Sequence, residues 1–203
     1  MGIKRYTIGA FETNTYLITK GDSAVIVDPG LDFISILDEV NKYKIEAILI
    51  THGHIDHIDG CGIVDAPIYV GKDDLINFKD LTRSLYHMTR TKPSYEANKL
   101  NLIGVSDNEI INLENFTFKV IHTPGHTDGG CCYLYYDNLF SGDTLFCGSI
   151  GRVDFPTGSM KKMKESLKKI VKICNDNVSV YPGHDSKTTI KTEKKLNMYL
   201  SNL

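Results

Sequence analysis

The chain has 203 residues, of which 41% are hydrophobic, and its 23 Lys and Arg against 25 Asp and Glu give a formal net charge of -2. This length and apolar content suffice for one substantial core, so we expect a single domain over residues 1–203. The near-neutral balance excludes a strong positive field, and we predict no nucleic acid partner.

Membrane and disulfide signals are both weak. No apolar run approaches the roughly 20 residues of a membrane-spanning helix, and residues 1–10 lack the long apolar stretch of a signal peptide. We therefore expect no membrane partner and a cytoplasmic location. The five cysteines are odd in number and form no C-x-x-C pair, which disfavours a disulfide framework. Cys131 and Cys132 should face opposite sides of a strand and pack in the core.

The first fifty residues predict a β-meander followed by one β-α-β step. Three short apolar runs alternate with turn residues, at 3–8, 16–19 and 24–27. The sequence D-P-G at 28–30 ends the meander, and a strand at 47–50 follows a helical segment. The apolar residues of that segment recur on one helical face: Phe33, Ile34, Leu37 and Val40.

The rest of the chain predicts a second half of similar design. A short strand at 67–70 precedes a polar, irregular segment at 72–106, which could form part of a pocket rim. Further strands are predicted at 110–111, 116–121, 131–136, 139–140 and 178–181. Helices are predicted at 190–200 and around an earlier apolar stripe: Met160, Met163, Leu167, Ile170 and Val171. Two sheet-and-helix halves imply two facing sheets with helices outside, since each sheet must cover its apolar faces.

The densest chemical signal is T-H-G-H-I-D-H at 51–57, directly after the strand at 47–50. Imidazole and carboxylate groups are suited to Zn²⁺, Fe or Mn. A surface loop is disfavoured, because so many titratable side chains beside a buried strand are costly. The segment therefore predicts a metal site with four candidate ligands: His52, His54, Asp56 and His57.

Three later residues complete the candidate ligand set. His126 and His184 each follow Pro-Gly, and Asp143 stands in G-D-T at 142–144. Each comes after a predicted strand or at its end. The glycines permit unusual backbone angles in a tight turn and the prolines stiffen it, so these turns can aim the side chains inward.

This ordered His/Asp series resembles the metallo-β-lactamase superfamily across nearly the whole chain. The flanking motifs are similar to the short bacterial branch of glyoxalase II-like hydrolases. They are P-G-H-T at 124–127, G-D-T-L-F at 142–146, G-S-I-G-R-V-D-F-P at 148–156, P-G-H at 182–184, T-T-I at 188–190 and E-K at 193–194.

The resemblance implies an α/β fold, the metallo-β-lactamase-like four-layer αββα sandwich, without the C-terminal helical domain of full-length glyoxalase II. It also implies two divalent metal ions, with Zn²⁺ preferred and Fe or Mn as alternatives. The implied ligands of site one are His52, His54 and His126. Those of site two are Asp56, His57 and His184, and Asp143 bridges both sites.

The implied reaction is hydrolysis of a small-molecule thioester of the S-acyl-glutathione type. Two metals that share a water lower its pKa to about 7, so a metal-bound hydroxide can attack the carbonyl. We expect Asp56 to orient that hydroxide as the catalytic carboxylate, and Arg152 to hold a substrate carboxylate or form a salt bridge. Asp154 and the pair Asp185 and Ser186 replace family tyrosines, so the thiol carrier stays open between glutathione, another small thiol and no thiol at all.

Other functions of the same fold remain as alternatives. Persulfide dioxygenases share much of the His/Asp series and a Gly-Arg-x-Asp-Phe loop, but use a single iron and oxygen. The T-T-I ending favours the hydrolase. Lactonases are a further alternative, and nucleases are disfavoured because the chain has no basic arm.

Several other residues near these motifs are expected to have lesser roles. We expect His122 to pack or to support a ligand, Cys147 to pack, and His87 to be solvated. Tyr86, Met88 and Tyr95 either line the pocket or pack behind it.

Overall fold

Two six-stranded sheets form the centre of the molecule. The protein is described by a computed structural model that covers residues 2–89 and 91–201. The predicted domain also includes residues 1, 90, 202 and 203, which lie outside the described residues. The strands of the first sheet are β1 (Gly2–Ile8), β2 (Thr13–Lys20), β3 (Ser23–Val27), β4 (Lys44–Ile50), β5 (Ile68–Gly71) and β6 (Leu102–Val105). Those of the second are β7 (Ile110–Asn112), β8 (Thr117–His122), β9 (Cys131–Tyr135), β10 (Asn138–Gly142), β11 (Ser179–Pro182) and β12 (Thr188–Thr189).

The first sheet follows chain order and changes from antiparallel to parallel pairing. Strands β1 to β3 form the predicted meander, and β3 to β6 pair in parallel. Every residue of β3 is buried, as expected for a strand covered on both faces. The sequence predicted an irregular segment where β6 lies, and this was wrong. Short apolar runs such as Leu102–Val105 carry little periodicity, and pairing with β5 defines the strand.

The second sheet is an antiparallel meander from β7 to β10, extended by β11 parallel to β10 and by β12 antiparallel to β11. Its inner face packs against the first sheet through aromatic residues such as Phe118 and Tyr133, which meet Val25 and Leu49. As predicted, the side chain of Cys131 belongs to this central core and that of Cys132 to the outer one.

Helices cover the two outer faces. The amphipathic helix α4 (Met160–Ile173) buries Met163, Leu167 and Ile170 against the second sheet, and the Ser159 side chain caps its first turn. The other helices are α1 (Leu37–Val40), α2 (Ile55–Ile58), α3 (Tyr86–Thr89) and α5 (Ile190–Leu196). Short 3₁₀ turns occur at Phe33–Ile36, Asp59–Gly62, Lys72–Phe78 and Ala97–Lys99. The predicted sandwich of two facing sheets with outer helices is confirmed.

Three local expectations were wrong. Ile34 was placed on the buried helical face but is 65% exposed, because the segment begins as a 3₁₀ turn with a different side-chain spacing. The last helix ends at Leu196, before an extended Asn197 whose side chain bonds the carbonyl of Ser149. Cys147 is exposed rather than packed. Within the described ranges, none of the helices combines the length and apolar character needed to cross a membrane.

Candidate metal centre

All seven predicted ligands lie beyond the carboxyl ends of strands, at one edge of the sandwich. His52 and His54 follow β4, and α2 then carries Asp56 and His57. The second sheet supplies three more from the loops after β8, β10 and β11: His126, Asp143 and His184. Each sheet therefore contributes part of one cluster, and the sandwich brings the parts together.

The ligand atoms fall into three overlapping groups, and within each group they lie within 4.8 Å of one another. The groups are His52, His54 and His126; His52, His57 and Asp143; and Asp56, His57 and His184. Asp143 links them, since its Oδ1 is 3.5 Å from His57 Nε2 and its Oδ2 is 3.5 Å from His126 Nε2. The first and third groups are the two ligand sets that the resemblance implies.

Buried atoms without partners show that the cluster fits metal ions. Most buried polar atoms in proteins have a hydrogen-bond partner, and leaving one without is costly. Four atoms here have none: His52 Nε2, His54 Nε2, His57 Nε2 and Asp143 Oδ1. In addition, His54 Nδ1 and His126 Nε2 approach to 2.9 Å. Imidazole nitrogens and carboxylate oxygens are suitable donors for Zn²⁺, Fe or Mn, so bound cations would satisfy these atoms.

Asp28 orients the segment at 51–57 that carries four of the candidate ligands. It accepts hydrogen bonds from the Thr51 backbone N–H (2.8 Å), from Thr51 Oγ1 (2.7 Å) and from His57 Nδ1 (2.9 Å). A proton held on Nδ1 leaves His57 Nε2 free as a metal donor. The sequence analysis assigned Asp28 only to a turn. Nothing local in D-P-G reveals its contact with a histidine 29 residues away.

Asp74 joins the two histidine loops of site one. This buried carboxylate accepts hydrogen bonds from Gly53 N (2.8 Å), Thr127 Oγ1 (2.7 Å) and Gly129 N (2.9 Å). Burial raises the pKa of Asp74 from its ordinary value. Because Gly53 adjoins His54 and Thr127 adjoins His126, Asp74 fixes the distance between these two ligands. The sequence does not reveal this role of Asp74, since an acidic residue in a polar segment resembles an ordinary surface residue.

Two further hydrogen bonds fix individual ligands. Thr13 Oγ1 donates to Asp56 Oδ2 at 3.0 Å, and His126 Nδ1 donates to the backbone carbonyl of Arg152 at 2.6 Å. The second bond directs His126 Nε2 toward the cluster. It also ties the loop after Asp143 to the centre.

Two glycines beside Asp143, Gly142 and Gly183, allow close approach of the backbone. A Cβ at Gly183 would lie 2.2 Å from Asp143 Oδ1 and 2.8 Å from His57 Cε1. A Cβ at Gly142 would lie 2.2 Å from Thr51 Oγ1, and Gly142 also has a left-handed φ of 48°. Gly142 therefore has the unusual backbone angle that was predicted for these turns. Gly183 is required for a different reason, because a side chain there would collide with the candidate ligands.

Electrostatics favour a positive charge at the centre. Burial, followed by the neighbouring histidines, lowers the pKa of His52 well below its ordinary value, so this imidazole is neutral. Burial opposes ionisation of Asp56, but His57 and His184 outweigh it and hold the pKa of Asp56 well below its usual range. Burial likewise opposes protonation of His57, yet Asp56, Asp28 and Asp143 raise its pKa well above the ordinary value. A site that stabilises a proton on His57 Nε2 also favours a metal ion there.

A cleft of about 570 Å³ opens above the cluster, and we call it the metal-site cleft. Its polar lining includes the candidate ligands His54, Asp56, His126, Asp143 and His184, with Ser149, Thr89, Arg152 and Asp185. Its apolar lining is Phe11, Ile55, Leu85, Met88, Phe146, Ile150 and Phe155. Arg152 thus lies in the cleft, outside the ligand cluster. The position of Phe155 was not predicted from the sequence; its ring centroid is 5.7 Å from that of His54.

The residues expected to have lesser roles lie at different places around the metal-site cleft. Met88 lines the cleft, but Tyr86 packs behind it and donates from its hydroxyl to Asp59 at 2.6 Å. Tyr95 packs beside Tyr86. His87 is exposed, as expected. His122 Nε2 lies 2.9 Å from the carbonyl oxygen of Asp128 in the loop that carries His126, which agrees with the expected supporting role.

The chain belongs to the metallo-β-lactamase superfamily, whose family model matches residues 8–184. It is 29% identical to hydroxyacylglutathione hydrolase GloC of Haemophilus influenzae, over 99% of this chain and 99% of that protein. Among solved structures, it is similar to the BLEG-1 B3 metallo-β-lactamase, with a TM-score of 0.90, 30% identity and coverage of 98% of this chain and 100% of that one. It is also similar to TTHA1623 in a di-iron-bound form, with a TM-score of 0.84, 29% identity and coverage of 97% and 100%. The family and the predicted fold are thereby confirmed.

Proposed function

We propose that this protein is a binuclear metal-dependent hydrolase that cleaves thioesters of the S-acyl-glutathione type. The observation that carries the proposal is the position of Asp143, which stands between two complete histidine-containing ligand sets at the base of an apolar cleft. One metal would not need seven donors, whereas two metals with one shared carboxylate would use them all.

The residues that would hold the metals form two sets around Asp143. Site one comprises His52, His54 and His126, and site two comprises Asp56, His57 and His184. Two such ions supply a Lewis acid for the carbonyl oxygen and a water ionised near neutral pH. We expect both ions to be Zn²⁺. The similarity to TTHA1623 in a di-iron-bound form supports a pair of metals and leaves Fe as the alternative.

Asp56 is the carboxylate that would orient the attacking oxygen. Its Oδ2 is 3.0 Å from Thr13 Oγ1 and 3.2 Å from His184 Nε2, so the carboxylate has a fixed direction at the base of the cleft. A fixed acceptor can hold the nucleophile in one orientation toward a bound carbonyl. Above it, apolar side chains such as Phe146 and Ile150 provide a wall for the acyl group.

The lining of the cleft supports a thioester over an amide. An amine leaving group needs a proton donor, whereas a thiol with a pKa of about 8.5 can depart as thiolate with little help. Within the described residues, the cleft lining includes no Lys or Tyr side chain to serve as such a donor. The similarity to a relative named as a hydroxyacylglutathione hydrolase, over nearly the full length of both chains, supports the same substrate class.

The test is steady-state hydrolysis of S-D-lactoylglutathione by the metal-loaded protein, with persulfide-dependent oxygen uptake and lactone hydrolysis measured in parallel. We expect rapid thioester cleavage, which Asp56→Asn abolishes. Asp65→Asn, an exposed substitution in the loop before β5, is the matched control and should retain activity. Oxygen uptake without thioester cleavage would replace the proposal with a dioxygenase, and lactone hydrolysis alone would replace it with a lactonase.

A further inference from the structure

The guanidinium group of Arg152 already holds a carboxylate from its own chain. Arg152 Nε donates to Asp154 Oδ1 at 2.7 Å, and Arg152 Nη2 donates to Asp154 Oδ2 at 2.6 Å. Two parallel hydrogen bonds are the arrangement in which arginine recognises carboxylates most specifically. The same guanidinium lies over the Phe155 ring, with Cζ 3.9 Å from the ring centroid. Asp154 therefore occupies the Nε and Nη2 edge of the guanidinium, one of the two edges through which arginine can bind a carboxylate in this way.

This ion pair has a fixed position relative to the metal centre. The Arg152 carbonyl accepts the hydrogen bond from His126 Nδ1, and the Phe155 ring lies edge-on to those of His54 and His126. Arg152 also lines the metal-site cleft. A thioester whose carbonyl reaches the ligand cluster would thus place its thiol portion toward the mouth, where Arg152 lies.

The charges around the mouth of the cleft also disfavour a substrate carboxylate. Asp185 lines the same cleft as Arg152 and adds a further carboxylate to its described lining. The hydrogen bonds from Arg152 hold the pKa of Asp154 at about 2, so this residue is ionised at neutral pH. A substrate carboxylate that binds the Nε and Nη2 edge of Arg152 must displace Asp154, and it enters a cleft whose lining already holds the carboxylate of Asp185.

We propose that Asp154 is a specificity determinant that keeps Arg152 occupied, so that the cleft prefers thioesters with an uncharged thiol portion over those with a carboxylate there. The inference rests on the proposed thioesterase function, and it ranks thioesters with an uncharged thiol portion above the glutathione thioesters within the substrates that the cleft accepts. Arg152 and Asp154 are both well exposed, and exposed ion pairs are weak. A thioester with a carboxylate in its thiol portion can therefore still bind in the cleft. Its affinity is lower, but its chemistry at the metal centre is unchanged.

The test compares two substrates with the same acyl group, S-D-lactoylglutathione and the uncharged S-D-lactoyl-N-acetylcysteamine. In Asp154→Ala we expect KM for the glutathione thioester to fall about three- to fivefold, the scale of a weak exposed ion pair, with kcat unchanged. The KM for the uncharged thioester should not change. Adding Arg152→Gln to Asp154→Ala should abolish this fall in KM, because the released guanidinium causes it.

A matched control separates the pairing from the overall charge. Asp185→Asn removes one negative charge from the cleft lining, as Asp154→Ala does next to Arg152, but it leaves the pair of Arg152 and Asp154 intact. We expect a smaller fall in KM for the glutathione thioester, which disappears at high salt because the longer-range repulsion between Asp185 and the substrate carboxylate is already screened there. A fall as large as that of Asp154→Ala would contradict a role for the pairing.

Calorimetric titration with glutathione itself tests Asp154 without turnover. We expect Asp154→Ala to bind glutathione about three- to fivefold more tightly than the wild type, and the double variant to lose that gain. If no variant cleaves either thioester, the proposed function fails while the titration still tests the inference. Equal binding by Asp154→Ala and the wild type, or a gain that persists without Arg152, would overturn it.

Discussion

The base and the mouth of the metal-site cleft are built differently. At the base, the ligands follow strand ends and are held by buried carboxylates, as when Asp28 fixes His57 or Asp74 joins two loops. At the mouth, Phe11 is 49% exposed, Met88 is 59% exposed, and Arg152 is held by an exposed neighbour. The sandwich therefore fixes the candidate ligand cluster, while side chains on loops form the exposed rim of the cleft.

This difference predicts different responses to substitution. Changes at the base should alter metal content and turnover together, because each side chain there has several buried partners. Changes at the mouth should alter KM while metal content stays constant, because those side chains contact solvent and substrate. The following variants are ordered by the size of the effect that we expect.

Asp143→Ala should have the largest effect. Both proposed metal sites lose a shared ligand, so we expect hydrolysis to fall to the detection limit and metal content to fall below two ions per chain. Metal analysis and turnover on the same preparation measure both. The control is Asp137→Ala, an exposed carboxylate in the turn before β10, which should keep its metals and its activity. Full turnover by Asp143→Ala with two bound metals would contradict the shared role of this residue.

Asp28→Asn tests whether a carboxylate that contacts a candidate ligand supports metal binding at the base of the cleft. Asparagine presents one acceptor where Asp28 serves both Thr51 and His57, so His57 loses its fixed orientation. We expect metal affinity or activity to fall about 10–100-fold. Competition with a chelator measures the affinity, and Asp22→Asn in the exposed turn before β3 is the control. Identical chelator sensitivity in Asp28→Asn and the wild type would remove Asp28 from the account.

Thr13→Val should have an intermediate effect on turnover. It keeps the shape of the side chain but removes the hydrogen bond to Asp56, which loses part of its orientation. We expect kcat/KM to fall by about tenfold, as for one hydrogen bond to a charged group. Thr19→Val, farther along the same strand, should leave the rate within error. A normal rate in Thr13→Val would show that this bond does not position the carboxylate.

Met88→Ala should have the smallest effect and should change KM alone. The side chain lines the cleft but is largely exposed, so substrate contact is its main loss on truncation. We expect KM for the lactoyl thioesters to rise about two- to fivefold, with kcat and metal content unchanged. Leu196→Ala, an exposed position on α5 outside the cleft lining, should change neither constant. Loss of metal in Met88→Ala would break the distinction between base and mouth.

The sequence predicted the base of the cleft better than its supports. His52, His54 and Asp56 stand in one dense motif after an apolar strand, and the structure places the later residues of the series against them. Their convergence follows from strand ends that meet at one edge of the sandwich. Asp28 and Asp74 could not be found in this way, because their partners are distant in sequence and their local surroundings resemble turns and polar segments.

Local structure was least predictable where the periodicity was short. Strand β6 has four residues and depends on its pairing with β5. Ile34 follows helical spacing, yet the 3₁₀ turn around it directs the side chain to solvent. Cys147 stands close to Asp143 in sequence, but the chain turns outward there and exposes it. In each case tertiary pairing or turn geometry, rather than apolar pattern, determines the outcome.

The most direct test of the central claim is the metal content of the purified wild-type protein, measured together with S-D-lactoylglutathione hydrolysis through chelation and reconstitution. We predict two metal ions per chain, loss of hydrolysis as they are removed, and recovery as two equivalents return. A single iron with persulfide-dependent oxygen uptake, or hydrolysis that survives complete removal of metal, would contradict the account.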